Sequence, residues 1–408
     1  MRNKIIALLF VTALLAALAA CAGGQAPTAS QVQQAAPTVA AAVQKAAEAA
    51  PTVAAAAKAA APTVAAAAQQ AAPTVAAAAK AAAPTVAAAA KAAAPTAAAA
   101  AAGGGKTYVL VPKNLGNPYF DTANKGAQEA AKELGVTVTY QGPATADATQ
   151  QIQLLNSLIA QNPGGLAISA DDSDALVPVG KTALGKNIPV VSFDSAIAPG
   201  GRTVHVNQAN SEDIGRGQIQ LVNKLLNGKG KIAILSATST APNQNKWIEY
   251  MKDELKKPEN SGLELVATVY GDDQDEKSYN EAQGLLKTYP DLKAIIAPTT
   301  VGIAASARAV TDANKIGQVA VTGLGTPNQM RQYVKNGASP AFALWNPADL
   351  GYLTIQALNA IANGKIQGKP GDKFTAGRLG DYTVDQDGNI LLGKPTVFDK
   401  SNIDNFNF

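Results

Sequence analysis

The sequence predicts an α/β protein in which two doubly wound parallel-sheet lobes follow a leader and an alanine-proline spacer. Two observations predict the lobes. From Lys106 onward short β-branched runs alternate with amphipathic runs, the order that builds parallel sheets with right-handed crossovers. Residues 106–408 also leave room for two separate cores. A third observation concerns function: polar and aromatic residues recur just after the strand runs, where open parallel sheets bind ligands.

The first element is residues 1–20. Arg2 and Lys4 precede an apolar run from Ile5 to Leu18, short for a spanning helix, which needs about 20 residues. Its flanks are those of a signal peptide. Leu18-Ala19-Ala20 then leads into Cys21, the one cysteine of the chain, as a lipobox does. Acyl chains on Cys21 would anchor the protein to the membrane, each buried CH₂ contributing about 0.8 kcal/mol.

Residues 21–105 form the second element. Pro-Thr-Val-Ala-Ala-Ala recurs at Pro51, Pro62, Pro73 and Pro84, followed by Pro95-Thr96-Ala97. Alanine favours helix, but a proline interrupts each unit, and nothing larger than valine is available to bury. The segment reads as a semi-rigid tether ending in Gly103-Gly104-Gly105.

In the body, strands are expected at 107–111, 136–140, 165–169, 189–193, 203–206, 231–235, 263–270, 294–297, 318–322 and 341–344. Helices are expected at 121–134, 148–161, 211–226, 244–256, 279–289 and 301–314. The strand ends supply the candidate ligand-binding residues: Lys113, Tyr119 and Phe120; Asp171 and Asp174; Asp194; Asn243 and Gln244; Pro298 and Thr300; Trp345 and Asn346. Carboxylates and amides pair with hydroxyls, and aromatic faces cover the C–H face of a sugar ring. Each has a plainer reading. Asp171 and Asp174 could cap the following helix. Trp247, inside a helical run, reads as packing, and His205, within a strand, as a structural histidine.

Composition narrows the classes. A net charge of +4 without a basic block does not imply nucleic acid, and one Cys with one His excludes a disulfide framework or a Cys/His zinc site. No GxGxxG, Walker lysine or G-x-S-x-G motif follows a strand, so a nucleotide site or an α/β hydrolase is not indicated. No cofactor or metal is expected.

The stretches VPKNLGNPYFDTANKGAQEAAKELGVTVTYQGP, ISADDSDALVP, FDSAIAPGGRTVHVNQA, ILSATSTAPNQNKWIEYMK, IIAPTTVGIAASARA and FALWNPADLGYL resemble the sugar-binding proteins of bacterial ABC importers. They are most similar to the branch that binds rhamnose or autoinducer-2. The resemblance implies a type I periplasmic binding protein, two lobes joined by a three-strand hinge and closing on the ligand. On that pattern one lobe takes 106–208 with about 343–368, and the other 209–342 with about 369–408. It further implies that Lys113, Tyr119 and Phe120 line the first lobe, that Asp174 accepts ligand hydroxyls and that Asp194 lies at the cleft. Asn243 and Gln244 would bond from the second lobe, with Pro298 and Thr300 acting through the backbone and Trp345 as the ring wall. Autoinducer-2 receptors carry Asp at the place of Asn243 and Pro-Asp-Ala at the place of Pro298-Thr299-Thr300, so this chain is closer to the rhamnose pattern.

The expected partners are a small monosaccharide, an ABC permease and the membrane through Cys21, with the protein a monomer held outside the cytoplasm. Alternatives are an autoinducer-2 receptor, a chemoreceptor ligand module and, more distantly, an α/β enzyme.

Overall fold

In the computed structural model, residues 106–408 are described; the leader, Cys21 and the alanine-proline tether lie outside the described residues. The first lobe is built from β1 (Thr107–Val111), α1 (Pro118–Leu134), β2 (Thr137–Tyr140), α2 (Ala148–Ala160), β3 (Gly165–Ile168), α3 (Val177–Gly185), β4 (Val190–Phe193) and β5 (Val204–Asn207). The second begins with α4 (Ser211–Leu226), β6 (Lys229–Ser236), α5 (Pro242–Leu255), β7 (Gly262–Tyr270), α6 (Asp275–Thr288), β8 (Leu292–Ala297), α7 (Thr300–Asp312), β9 (Ala320–Gly323), α8 (Pro327–Asn336) and β10 (Ala341–Leu344). The chain then forms α9 (Pro347–Ala362) and four short strands: β11 (Lys373–Thr375), β12 (Asp381–Thr383), β13 (Asn389–Leu391) and β14 (Thr396–Asp399).

The first sheet has six parallel strands in the order β13-β5-β4-β3-β1-β2, and the second has four in the order β7-β6-β8-β9. Burial on both faces explains why the central strands read as continuous Val/Ile/Leu runs, such as Ile232–Leu235 and Ala294–Ala297. β10 pairs antiparallel with β14 and touches the second sheet through a bridge between Ala343 and Leu324.

The chain crosses between lobes three times: after β5, at Trp345-Asn346 between β10 and α9, and between β13 and β14. The third crossing differs from the expected boundary near 369, because β13 joins the first sheet beside β5 and so carries 389–391 with the first lobe. The last four strands were not foreseen. Each is only three or four residues long, with polar turns between, and too short to show a period. α9 was also missed, for the opposite reason: Leu350 to Ala360 is buried all round, so it has no polar face.

α9 docks on α1 through glycines. A Cβ at Gly126 would lie 1.7 Å from the Ala348 carbonyl oxygen, and one at Gly351 would lie 1.9 Å from that of Ala123. This close approach fixes the start of α9, and with it Trp345, against the start of α1.

Candidate functional site

Four helices begin at one place between the lobes, and their first turns carry most of the site. α1 is capped by Asn117, whose side chain accepts the Tyr119 N–H, and has Pro118 in its first turn. α5 opens with Pro242-Asn243-Gln244, α7 is capped by Thr299, and α9 by Asn346. Proline fixes φ for the first helical turn and the Asn and Thr caps bond free N–H groups, so the sequence itself sets where these helices start.

The cavity is lined by Lys113, Asn117, Tyr119, Phe120 and Asp194 from the first lobe, and by Asn243, Gln244, Trp247, Asp273, Pro298, Thr299, Thr300, Leu324 and Leu344 from the second, with Trp345 at the crossing. Its empty volume, counting space continuous with solvent, is about 340 Å³.

Its polar wall centres on Asp194. One carboxylate oxygen accepts the Tyr119 hydroxyl at 3.1 Å and the Asn243 amide at 3.3 Å; the other accepts Ser169 at 2.7 Å, with the Lys113 ammonium 3.6 Å away. Lys113 donates to Asn243 Oδ1 at 3.0 Å. Asn243 therefore ties the second lobe to both charges of a buried ion pair on the first. A second tie runs from the Thr300 hydroxyl to Asn117 Oδ1 at 3.4 Å. Burial and the Asp194 charge hold the Tyr119 phenol well above its usual range, so it stays a neutral donor to Asp194 while accepting from the Trp345 indole at 2.8 Å. Gln244 spends its carbonyl on the Ser236 hydroxyl and the Ala237 N–H, which leaves its amide N–H groups for the cavity.

The apolar part is a run of rings and leucines. Tyr119 meets Phe120 edge-on with centroids 5.1 Å apart and Trp345 at 6.1 Å, and Trp345 lies 6.0 Å from Trp247. Leu324 bridges to Ala343, next to Leu344, so both leucines sit beside Trp345 at the crossing.

Of the residues expected from sequence, Lys113, Tyr119, Phe120, Asp194, Asn243, Gln244, Pro298, Thr300 and Trp345 are brought together here. Asp174 is not. It is exposed, and its N–H, with that of Ala175, bonds the Asp172 carboxylate in a turn. Asn346 is likewise outside the lining, its side chain committed to capping α9. Trp247 lines the cavity rather than serving only as packing, with its indole N–H unpartnered. Asn117, Asp273, Thr299, Leu324 and Leu344 were not singled out. Thr299 stood only within the strand-end stretch Pro298-Thr299-Thr300. His205 is structural: its ring nitrogen bonds Ser192 at 3.1 Å, and burial pushes it down to about 3.

Asp171 lies outside the lining yet is buried, with both carboxylate oxygens unpartnered. Burial pushes its carboxyl up to about 8, opposed by Lys113 and reinforced by Asp273 and Asp147. An unfolded chain releases this proton near pH 4. Between those values the folded state holds more protons, so stability falls as pH rises. Asp171→Asn, which cannot ionise, is expected to flatten that slope and raise the melting temperature more at pH 8 than at pH 5. Thermal unfolding across this range checks it, and an unchanged slope would contradict the assignment.

The periplasmic binding protein domain family matches residues 108–366. The D-allose-binding periplasmic protein of Escherichia coli K12 is 29% identical over 268 residues, 64% of this chain and 86% of that one. A solute-binding protein of an ABC transporter from Clostridium phytofermentas, solved with bound L-rhamnose, is 37% identical, with 73% of this chain and 97% of that chain covered and a TM-score of 0.71. LsrB from Clostridium saccharobutylicum, solved with AI-2, is 26% identical, with 74% and 100% covered and the same TM-score of 0.71.

Proposed function

The chain belongs to the periplasmic binding protein domain family, and from that membership we propose that it captures L-rhamnose or a similar deoxysugar and hands it to the permease of an ABC importer. It is a sugar-binding member working outside the cytoplasm, like its relatives, and not an enzyme. The observation that carries the finer reading is the division of the cavity. Lys113 and Gln244 present N–H donors to ring hydroxyls, with Asp194 and Asn243 holding the lysine in place, while Leu324, Leu344, Trp247 and Trp345 form an apolar patch suited to ring C–H groups and a methyl.

The mechanism is closure. The Asn243 and Thr300 bonds to the first lobe exist only with the lobes together. A sugar bonded to both lobes adds contacts available only in that state and shifts the open–closed equilibrium toward it. Anchoring through a lipid on Cys21, with residues 21–105 as the tether, is part of the same proposal and rests on the leader sequence.

Calorimetry tests the ligand. L-Rhamnose is expected to bind about tenfold or more tighter than L-mannose, its 6-hydroxy counterpart, because that hydroxyl would be buried against leucine without a partner. Equal or tighter binding of L-mannose, D-allose, D-ribose or autoinducer-2 would overturn the deoxysugar reading. Detergent partitioning of wild type beside Cys21→Ala tests the anchor: both forms remaining in the aqueous phase would exclude it.

A further inference from the structure

We propose that Asp273 is a specificity-determining residue of this cavity, its carboxylate accepting a ligand hydroxyl from the second lobe. The inference rests on the sugar-binding reading above and adds a contact that the strand-end pattern did not reveal.

Three independent features converge on it. The first is supply and demand among the carboxylates. Asp194 is already surrounded by Tyr119, Ser169, Asn243 and Lys113, close to the four donors a carboxylate can accept. Asp273 also lines the cavity and is buried, yet among the described residues its one side-chain donor is the Thr299 hydroxyl, which bonds a single oxygen. The other oxygen takes no hydrogen bond from the described residues.

The second is backbone conformation. Asp272 and Asp273 both adopt left-handed φ, +54° and +51°, two consecutive residues in a region that non-glycine residues enter at a cost. The loop persists because it is fastened: Gly271 N–H bonds the Ser236 carbonyl at 2.9 Å, Asp272 N–H bonds that of Ala237 at 3.1 Å, and Lys277 pairs with Asp272. Strain held this way aims the Asp273 side chain between the lobes. Asp194 shares the same left-handed geometry, at +58°, on the opposite wall.

The third is position. Thr299, which bonds Asp273, caps α7, and the next residue, Thr300, makes the cross-lobe bond to Asn117. Asp273 is thereby connected to a contact that forms on closure.

Burial pushes the Asp273 carboxyl up, and the Lys113 charge and the Thr299 hydroxyl oppose this; held ionised by them, it accepts and does not donate. The ligand must therefore present a free hydroxyl here, and an analogue that is deoxygenated or O-methylated at that one carbon is rejected. The test uses the full chain as wild type, Asp273→Ala and Asp273→Asn, titrated with the best sugar found for wild type and with its monodeoxy series. Wild type is expected to discriminate against one monodeoxy analogue by about tenfold to a hundredfold, the value of a hydrogen bond to an ionised group. Asp273→Ala should bind the parent sugar weaker by a similar factor and lose discrimination against that analogue alone. Asp273→Asn, which keeps the shape and tolerates left-handed φ, should retain the wild-type melting temperature with reduced affinity. Affinity of both variants within twofold of wild type overturns the proposal, as does a uniform loss against every analogue, which would mean a structural role. Failure of the deoxysugar reading shows separately, as wild type preferring a different parent sugar. Absence of any sugar binding by wild type would overturn both.

Discussion

Replacing Asp194 by alanine is expected to weaken sugar binding by about a hundredfold or more. Lys113 and Asp194 are both almost fully buried, and among the described residues Asp194 is the one carboxylate within 4 Å of the lysine, at 3.6 Å, with Asp171 and Asp273 farther off. Breaking a buried pair by removing one partner costs about 3–5 kcal/mol, because the other charge is left uncompensated; each 1.4 kcal/mol is tenfold in affinity. Most of that cost should fall on closure rather than folding. Lys113 is covered partly by Asn243, which arrives with the second lobe, so an open molecule can hydrate the ammonium while a closed one cannot. The expected signature is therefore a large loss in calorimetric affinity with a fall of only a few degrees in the melting temperature without ligand. Alanine also meets a backbone cost at φ +58°. Asp194→Asn avoids it, since asparagine tolerates that region, and should still lose about tenfold or more because it cannot balance Lys113. Affinity of Asp194→Ala within tenfold of wild type would show that the ion pair is not part of ligand capture.

The same residue types serve turns and ligands, which explains both what the sequence revealed and what it concealed. β1 at 107–111 and α4 at 211–226 fall where the residue pattern placed them, since the first is a continuous apolar run and the second an amphipathic one, each between breakers. KNLGNPYF was legible as a site because two adjacent rings have no use in a turn, and Tyr119 and Phe120 do line the cavity. An aspartate or asparagine after a strand carries no such mark. Asp174 looked like a ligand acceptor but lies exposed beside Asp172, whose carboxylate takes the turn N–H groups. Asn346 followed the ring wall in sequence and became a helix cap. Asn117 and Asp273 carried no mark of a site and yet line the cavity. Local chemistry is the same in each case, and only the packing of the two lobes decides which side chains converge.

Within the first lobe the α1–α9 contact depends on two glycines, and the largest loss of stability is expected from filling one of them. Gly351→Ala would place a methyl 1.9 Å from the Ala123 carbonyl oxygen and 2.6 Å from its carbon. These are backbone atoms, with no rotamer through which to yield, so α1 and α9 must separate along their contact. Overpacking of a core commonly costs about 1–3 kcal/mol when side chains can adjust; with backbone opposing, about 3 kcal/mol or more is expected. For a domain of this size that lowers the melting temperature by roughly 6 °C or more. A control separates sterics from helix propensity. Gly284, inside α6, has nothing within 4 Å of its added Cβ, so Gly284→Ala should stabilise by about 0.5–1 kcal/mol. The effect should also reach the ligand. Trp345 lies two residues before α9 begins and gives its indole N–H to Tyr119 on α1, so a displaced α9 carries the ring wall away from the polar wall it faces. Affinity and stability should then fall together in Gly351→Ala and neither should fall in Gly284→Ala. Equal melting temperatures for the two variants would mean that the close approach of α1 and α9 does not hold this lobe in shape.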